Sequence, residues 1–150
     1  MIPTQRVPDG MELAAKERMA DTTARRKTRN TRIILACVQG AYDIAGGGWA
    51  LLNMRGFEAV TGPKHDDWLV RTVAGILLVL GAVLLHDALR RRYIGSSLGI
   101  MAGGISGVLA LVAITASLMG TISWPYFLDG LIHASFVIGW LLAARSPLEG

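Results

Sequence analysis

Four ionisable residues lie where hydrocarbon would make them costly. Asp43, Arg71, Asp129 and His133 each sit inside a run of apolar residues long enough to cross a bilayer. A carboxylate and an imidazole at matched depth can fix the register of two helices, hold a polar ligand, or pass a proton. At the rise of an α-helix, Asp43 falls roughly 16 Å below the outer end of the first run and His133 roughly 14 Å below that of the fourth, so the two are expected to pair. Asp129 lies one turn above His133, roughly 8 Å deep, and Arg71 roughly 5 Å deep. Arg71 and Asp129 are expected to meet at the mouth, with Glu58 of the preceding connection in reach. The expected constellation is a polar shaft of Glu58, Arg71, Asp129, His133 and Asp43. Three readings of it stand: buried salt bridges, a pocket for a small ligand or quinone, and a proton or ion path.

Other chemistries find less support. The chain has no nucleophile–base arrangement, phosphate loop, haem box or zinc signature, so no catalytic residue and no metal is expected. "GAYDIAGGG" is rich in glycine but lies within an apolar run, away from the strand that a dinucleotide loop follows. His65, Asp66 and Asp67 cannot all reach one ion without further ligands, and read as a solvated loop. Cys37 is the one cysteine. It can close no intramolecular disulfide, and reads as a buried thiol near the inner face.

The elements that would position these residues follow from hydropathy. Of 150 residues, 52% are hydrophobic and 17% charged, with a mean hydropathy of +0.44. The apolar residues gather in four runs, at about 33–54, 68–89, 98–119 and 124–144. Each would make a helix roughly 30 Å long, the thickness of a bilayer core. The expected fold is all-α: a bundle of four transmembrane helices over residues 33–150, preceded by a polar basic arm over residues 1–32. Length and the three later runs argue against a signal peptide. Within the arm, Glu12 and Lys16 are spaced for an i,i+4 ion pair on a short helix.

Eight of the 15 Lys and Arg residues lie in residues 1–32, and Arg90, Arg91 and Arg92 follow the second run. This clustering beside spans, unlike a basic face on a folded surface, argues against nucleic acid. It places both termini in the cytoplasm of a multi-pass inner-membrane protein. Arg25–Arg32 and Arg90–Arg92 would then meet anionic lipid headgroups, at about 1 kcal/mol per residue. Trp49, Trp68, Trp124 and Tyr126 would form the outer aromatic belt, and Tyr93 and Trp140 the inner one.

Spacing also suggests which faces look inward. Gly95, Gly99, Gly103 and Gly107 form a stripe that admits close approach of another helix, from this chain or from a second copy in a homo-oligomer. Polar and small residues coincide on the other runs: Ala36, Gly40, Asp43, Gly47 and Ala50; Arg71, Gly75, Ala82 and His86; Asp129, His133, Phe136 and Trp140. These faces are expected to meet. The triple glycine at 46–48 is expected to weaken the first helix, with a kink there.

The stretches "AYDIAGGGWALLNMRG" and "FEAVTGPKHDDWLVRT" carry a resemblance. They resemble uncharacterised small bacterial membrane proteins of four spans with an FExVTGPKxDxWLV loop, and more distantly DoxX-like membrane proteins. The resemblance covers Gly40 to Gly75 and marks Phe57, Glu58, Thr61, Gly62, Pro63, Lys64, Asp66 and Trp68, with no role attached to them. It implies a four-helix fold in a bacterial inner membrane. The expected function is a non-enzymatic or accessory membrane protein whose polar interior takes a small ligand or lipid. The DoxX-like resemblance implies the alternative of a quinone-linked redox component, with quinone as its one cofactor. A small proton, ion or solute transporter is the further alternative.

Overall fold

The computed structural model describes residues 9–63, 66–90 and 94–145, and among these all regular structure is helical. Five helices follow one another: α1 (Asp9–Leu52), α2 (Met54–Thr61), α3 (Asp67–Leu89), α4 (Ser96–Leu118) and α5 (Pro125–Arg145). Lys64, His65, Arg91, Arg92 and Tyr93 lie outside the described residues, and with them the His65 cluster and most of the triple arginine.

α1 departs from the expected division into arm and span. It is one helix of 44 residues, running from the basic arm into the first apolar run without interruption. Strong helix formers fill residues 11–20, and ion pairs Lys16–Glu12 at 2.8 Å and Arg25–Asp21 at 3.0 Å stitch successive turns. Both pairs are exposed and add little to stability. Between residues 10 and 31 only Thr28 is buried, so this half of α1 stands clear of the other helices. The helix also continues through Gly46–Gly48.

α3, α4 and α5 each contain an 18-residue stretch of mean hydropathy 2.3, 2.1 and 1.7, and each is long and apolar enough to cross a membrane. Large side chains such as Val79, Ile100, Val108, Leu111 and Leu142 point outward from them, an exterior suited to lipid and not to water. These features mark a membrane-embedded protein. α1 is not among the three; Gln39, Asp43 and the three glycines dilute the apolar character of its second half.

Packing proceeds in pairs. α1 lies along α3, and α4 along α5; α1 also meets α5, while α3 and α4 are not closely packed. At the α1–α3 contact the backbones almost touch. A Cβ on Gly47 would come within 2.5 Å of Ala74 O, one on Gly40 within 2.8 Å of Gly81 O, and one on Gly81 within 2.7 Å of Gly40 O. The buried face of α3 is therefore Ala74, Leu80, Gly81, Leu84 and Ala88. The expected face of Arg71, Gly75, Ala82 and His86 is not the packing face: Arg71, Ala82 and His86 are exposed, and a Cβ on Gly75 would meet nothing within 4 Å. Small residues decide the contact, because only they let two helix backbones approach this closely.

In α4, Gly99 and Gly103 receive the Trp140 side chain of α5: a Cβ on Gly99 would lie 3.0 Å from the ring, and one on Gly103 3.3 Å from Trp140 Cβ. Gly107 faces Val137 more loosely, at 3.8 Å, and Gly95 is the N-cap of the helix. Trp140 itself is buried. Trp49, Trp68 and Trp124 are exposed.

Two further features tie the ends. Residues 55–61, expected as part of a loop, form α2 together with Met54, the expected end of the first run. Asn53 Oδ1 accepts from the Gly56 N–H at 2.9 Å to start it, and Gly62, at φ +83°, ends it. Ser123 Oγ donates to Thr61 O, fastening α2 to the turn before α5. At the other end, Arg32 is buried and donates to Ile94 O at 3.1 Å and Ala143 O at 3.2 Å. A cation is favoured there because Ala143 lies in the last turn of α5, the negative end of its dipole.

Candidate functional site: a buried polar layer

Gln39 organises the interior. It is fully buried on α1, and its Oε1 accepts from Trp140 Nε1 at 2.7 Å. That bond fixes which way the amide points. Nε2 then faces three acceptors: Ser106 Oγ at 3.1 Å, Asp43 Oδ2 at 3.3 Å and Ala102 O at 3.4 Å. Ser106 is buried on α4, and His133 Nδ1 of α5 lies 3.3 Å from its hydroxyl. His133 Nε2 faces Asp129 Oδ1 at 3.8 Å, one turn away on the same helix. Tyr42 of α1 donates its hydroxyl to that oxygen at 2.5 Å. The rings of Tyr42, His133 and Phe136 meet edge to face, with centroids 5.7–6.0 Å apart.

The result is a polar layer joining α1, α4 and α5. It runs from Asp129, whose side chain is 36% exposed, inward through His133, Ser106 and Gln39 to Asp43. Asp43 is 1% exposed, and its Oδ1 has no hydrogen-bond partner. α3 approaches Asp43 at Gly81, where a Cβ would come 3.0 Å from Asp43 Cβ.

Of the five expected residues, the fold gathers Asp43, Asp129 and His133. Asp43 and His133 do not pair: the link between them runs through Gln39 and Ser106, not through a direct bond. Arg71 is a correction. It does not pair with Asp129; it is exposed and donates to Leu51 O at 3.4 Å. The packing of α3 through Ala74 and Gly81 turns Arg71 away from α5. Glu58 is half-buried on α2, near the bundle end and outside the layer.

Gln39, Tyr42, Ser106 and Trp140 complete the layer as hydrogen-bonding groups that the ionisable residues did not announce. One signal was available: Gln39 stands four residues before Asp43, which puts it on the same face of α1. Among the described residues no three His, Cys, Asp or Glu side chains converge as metal ligands. Comparison with known protein families, with curated proteins and with solved structures finds no match.

Proposed function

We propose that the chain is a four-span protein of a bacterial inner membrane, non-enzymatic or accessory in role, whose polar layer binds a small ligand carrying an N–H or O–H donor. The observation that carries this reading is Asp43 Oδ1, a buried carboxylate oxygen without a partner. Structure alone gives Asp43 little to do. The Gln39 amide has two hydrogens and three acceptors, so Ser106 and Ala102 could satisfy it without Asp43. A carboxylate inside a membrane bundle is expensive to keep, and one that the local network does not need points to a ligand. A quinol headgroup, with two hydroxyl donors, belongs to the chemical class such an acceptor selects.

A second reading rests on the continuity of the layer from Asp129 to Ser106. Carboxylate, imidazole and hydroxyl groups lead from Asp129 through His133 to Ser106 in steps of 3.8 and 3.3 Å, an arrangement that can relay a proton as far as Ser106, where Gln39 Nε2, a donor only, separates it from Asp43.

Native mass spectrometry of the protein extracted from its own membrane tests the ligand reading. The wild type is expected to retain a small molecule that Asp43→Leu, which keeps the branched heavy-atom frame but no acceptor, loses while staying folded. A wild type that emerges ligand-free, or an adduct unchanged by Asp43→Leu, overturns it. Proton flux into vesicles, abolished by His133→Phe, would favour the second reading.

A further inference from the structure

The two helix pairs leave a gap where α3 and α4 face the exterior. A groove of about 470 Å³ lies between them. Thr72, Gly75, Val79 and Val83 line it from α3, and Met101 and Ile105 from α4. The one polar group among these is the Thr72 hydroxyl, which already donates to Trp68 O at 2.8 Å. Nothing in the groove asks for a polar ligand.

Its length selects among apolar occupants. Thr72 and Val83 lie eleven helical steps apart, or about 16 Å. That is roughly half the ~30 Å hydrocarbon core, the depth of one leaflet. A second transmembrane helix would need a groove crossing both leaflets. A single lipid tail needs one.

Charge at the mouth identifies the rest of the molecule. Arg71 stands four residues before Gly75, one turn above the groove on the same side of α3. It is the fifth residue of α3, exposed, and in none of the ion pairs among the described residues. Its guanidinium donates to Leu51 O at 3.4 Å, and with no carboxylate within 4 Å among the described residues its other N–H groups pair naturally with phosphate. Trp68, a further turn up and exposed, marks the headgroup level.

We propose that the α3–α4 groove is a binding site for an anionic phospholipid from the leaflet next to α2. Its phosphate meets Arg71, and one of its tails lies along Gly75, Val79 and Val83 against Met101 and Ile105. The proposal requires only that α3 and α4 lie in a bilayer, and is independent of what the Asp43 layer binds.

The test is native mass spectrometry of the full chain in detergent, titrated with phosphatidylglycerol or with phosphatidylcholine of the same tails. Gly75→Leu fills the groove, and because a Cβ there meets nothing within 4 Å it does so without disturbing the helix contacts. Val79→Trp fills it from a second position, should the first variant fold poorly. Arg71→Gln removes the charge. The wild type is expected to hold one phosphatidylglycerol per chain in preference to phosphatidylcholine. Either groove-filling variant, with an unchanged thermal midpoint, should lose both lipids. Arg71→Gln should weaken phosphatidylglycerol alone, by about fivefold. Retention of phosphatidylglycerol by both filled variants overturns the groove, and an unchanged headgroup preference in Arg71→Gln overturns the phosphate contact. A lipid-free dimer that Gly75→Leu dissociates would assign the groove to a second copy and overturn the proposal.

Discussion

Gln39 has four hydrogen-bonding neighbours, three of them competing for two amide hydrogens. That imbalance separates the two α1 residues of the layer. Gln39→Leu strands the Trp140 indole N–H and removes a donor from Ser106. It is expected to destabilise the chain by about 1–3 kcal/mol for each buried group left unpaired. Asp43→Leu strands nothing, since Gln39 keeps two acceptors, and in ligand-free protein it should hold or raise the thermal midpoint. Unfolding followed by helical circular dichroism in detergent compares the two. A larger loss for Asp43→Leu than for Gln39→Leu would mean that the carboxylate supports the layer. The sequence exposes Asp43, Asp129 and His133, because ionisable side chains are conspicuous in an apolar run. It does not single out Gln39 or Ser106, and it sets Trp140 on an inward face without showing what its indole N–H meets. An amide, a hydroxyl and an indole are ordinary in such a run until the rotation of each helix decides what they face.

At the scale of the helix, the glycines of α1 carry unequal burdens. Gly46 faces open space, Gly48 would make an ordinary contact with Leu78 at 3.9 Å, and Gly47 backs onto Ala74 O. Gly46→Ala is expected to stabilise the helix by about 0.5–1 kcal/mol, the usual gain over glycine in a helix interior. Gly47→Ala must push α3 away and should destabilise, with a lower thermal midpoint and a weaker α1–α3 contact. Equal effects at the two positions would show that α1 and α3 do not meet there. The same contact explains why the face of α3 was misjudged from sequence. Grouping polar with small residues selected Arg71, Gly75, Ala82 and His86, whereas the small residues at Ala74, Gly81 and Ala88 alone decide how close α1 can come. α2 was hidden for a related reason: eight residues with a charged surface read as loop until Asn53 caps them and Ser123 fastens their end.

For the whole molecule, the four-span reading makes a topological prediction. If the second half of α1 crosses the bilayer with α3, α4 and α5, residues 59 and 19 lie on opposite sides of it. In a Cys37→Ser background, Ala59→Cys should react with a membrane-impermeant thiol reagent on intact cells and Met19→Cys should not. Reaction of both would leave α1 on one side and reduce the spans to three. Length and hydropathy, both properties of the chain alone, established an all-helical, membrane-embedded protein with apolar helices at α3, α4 and α5. The four-residue spacing also put Gly99 and Gly103 on one face of α4, where the Trp140 side chain packs. The partners were decided in three dimensions. α4 takes Trp140 from α5, Arg71 turns outward, and α1 reaches across both pairs with Arg32, Gln39 and Tyr42. Spacing along a helix fixes which residues share a face, but the rotation of that face toward one neighbour or another depends on which backbones can touch, and that is settled only when all the helices pack at once.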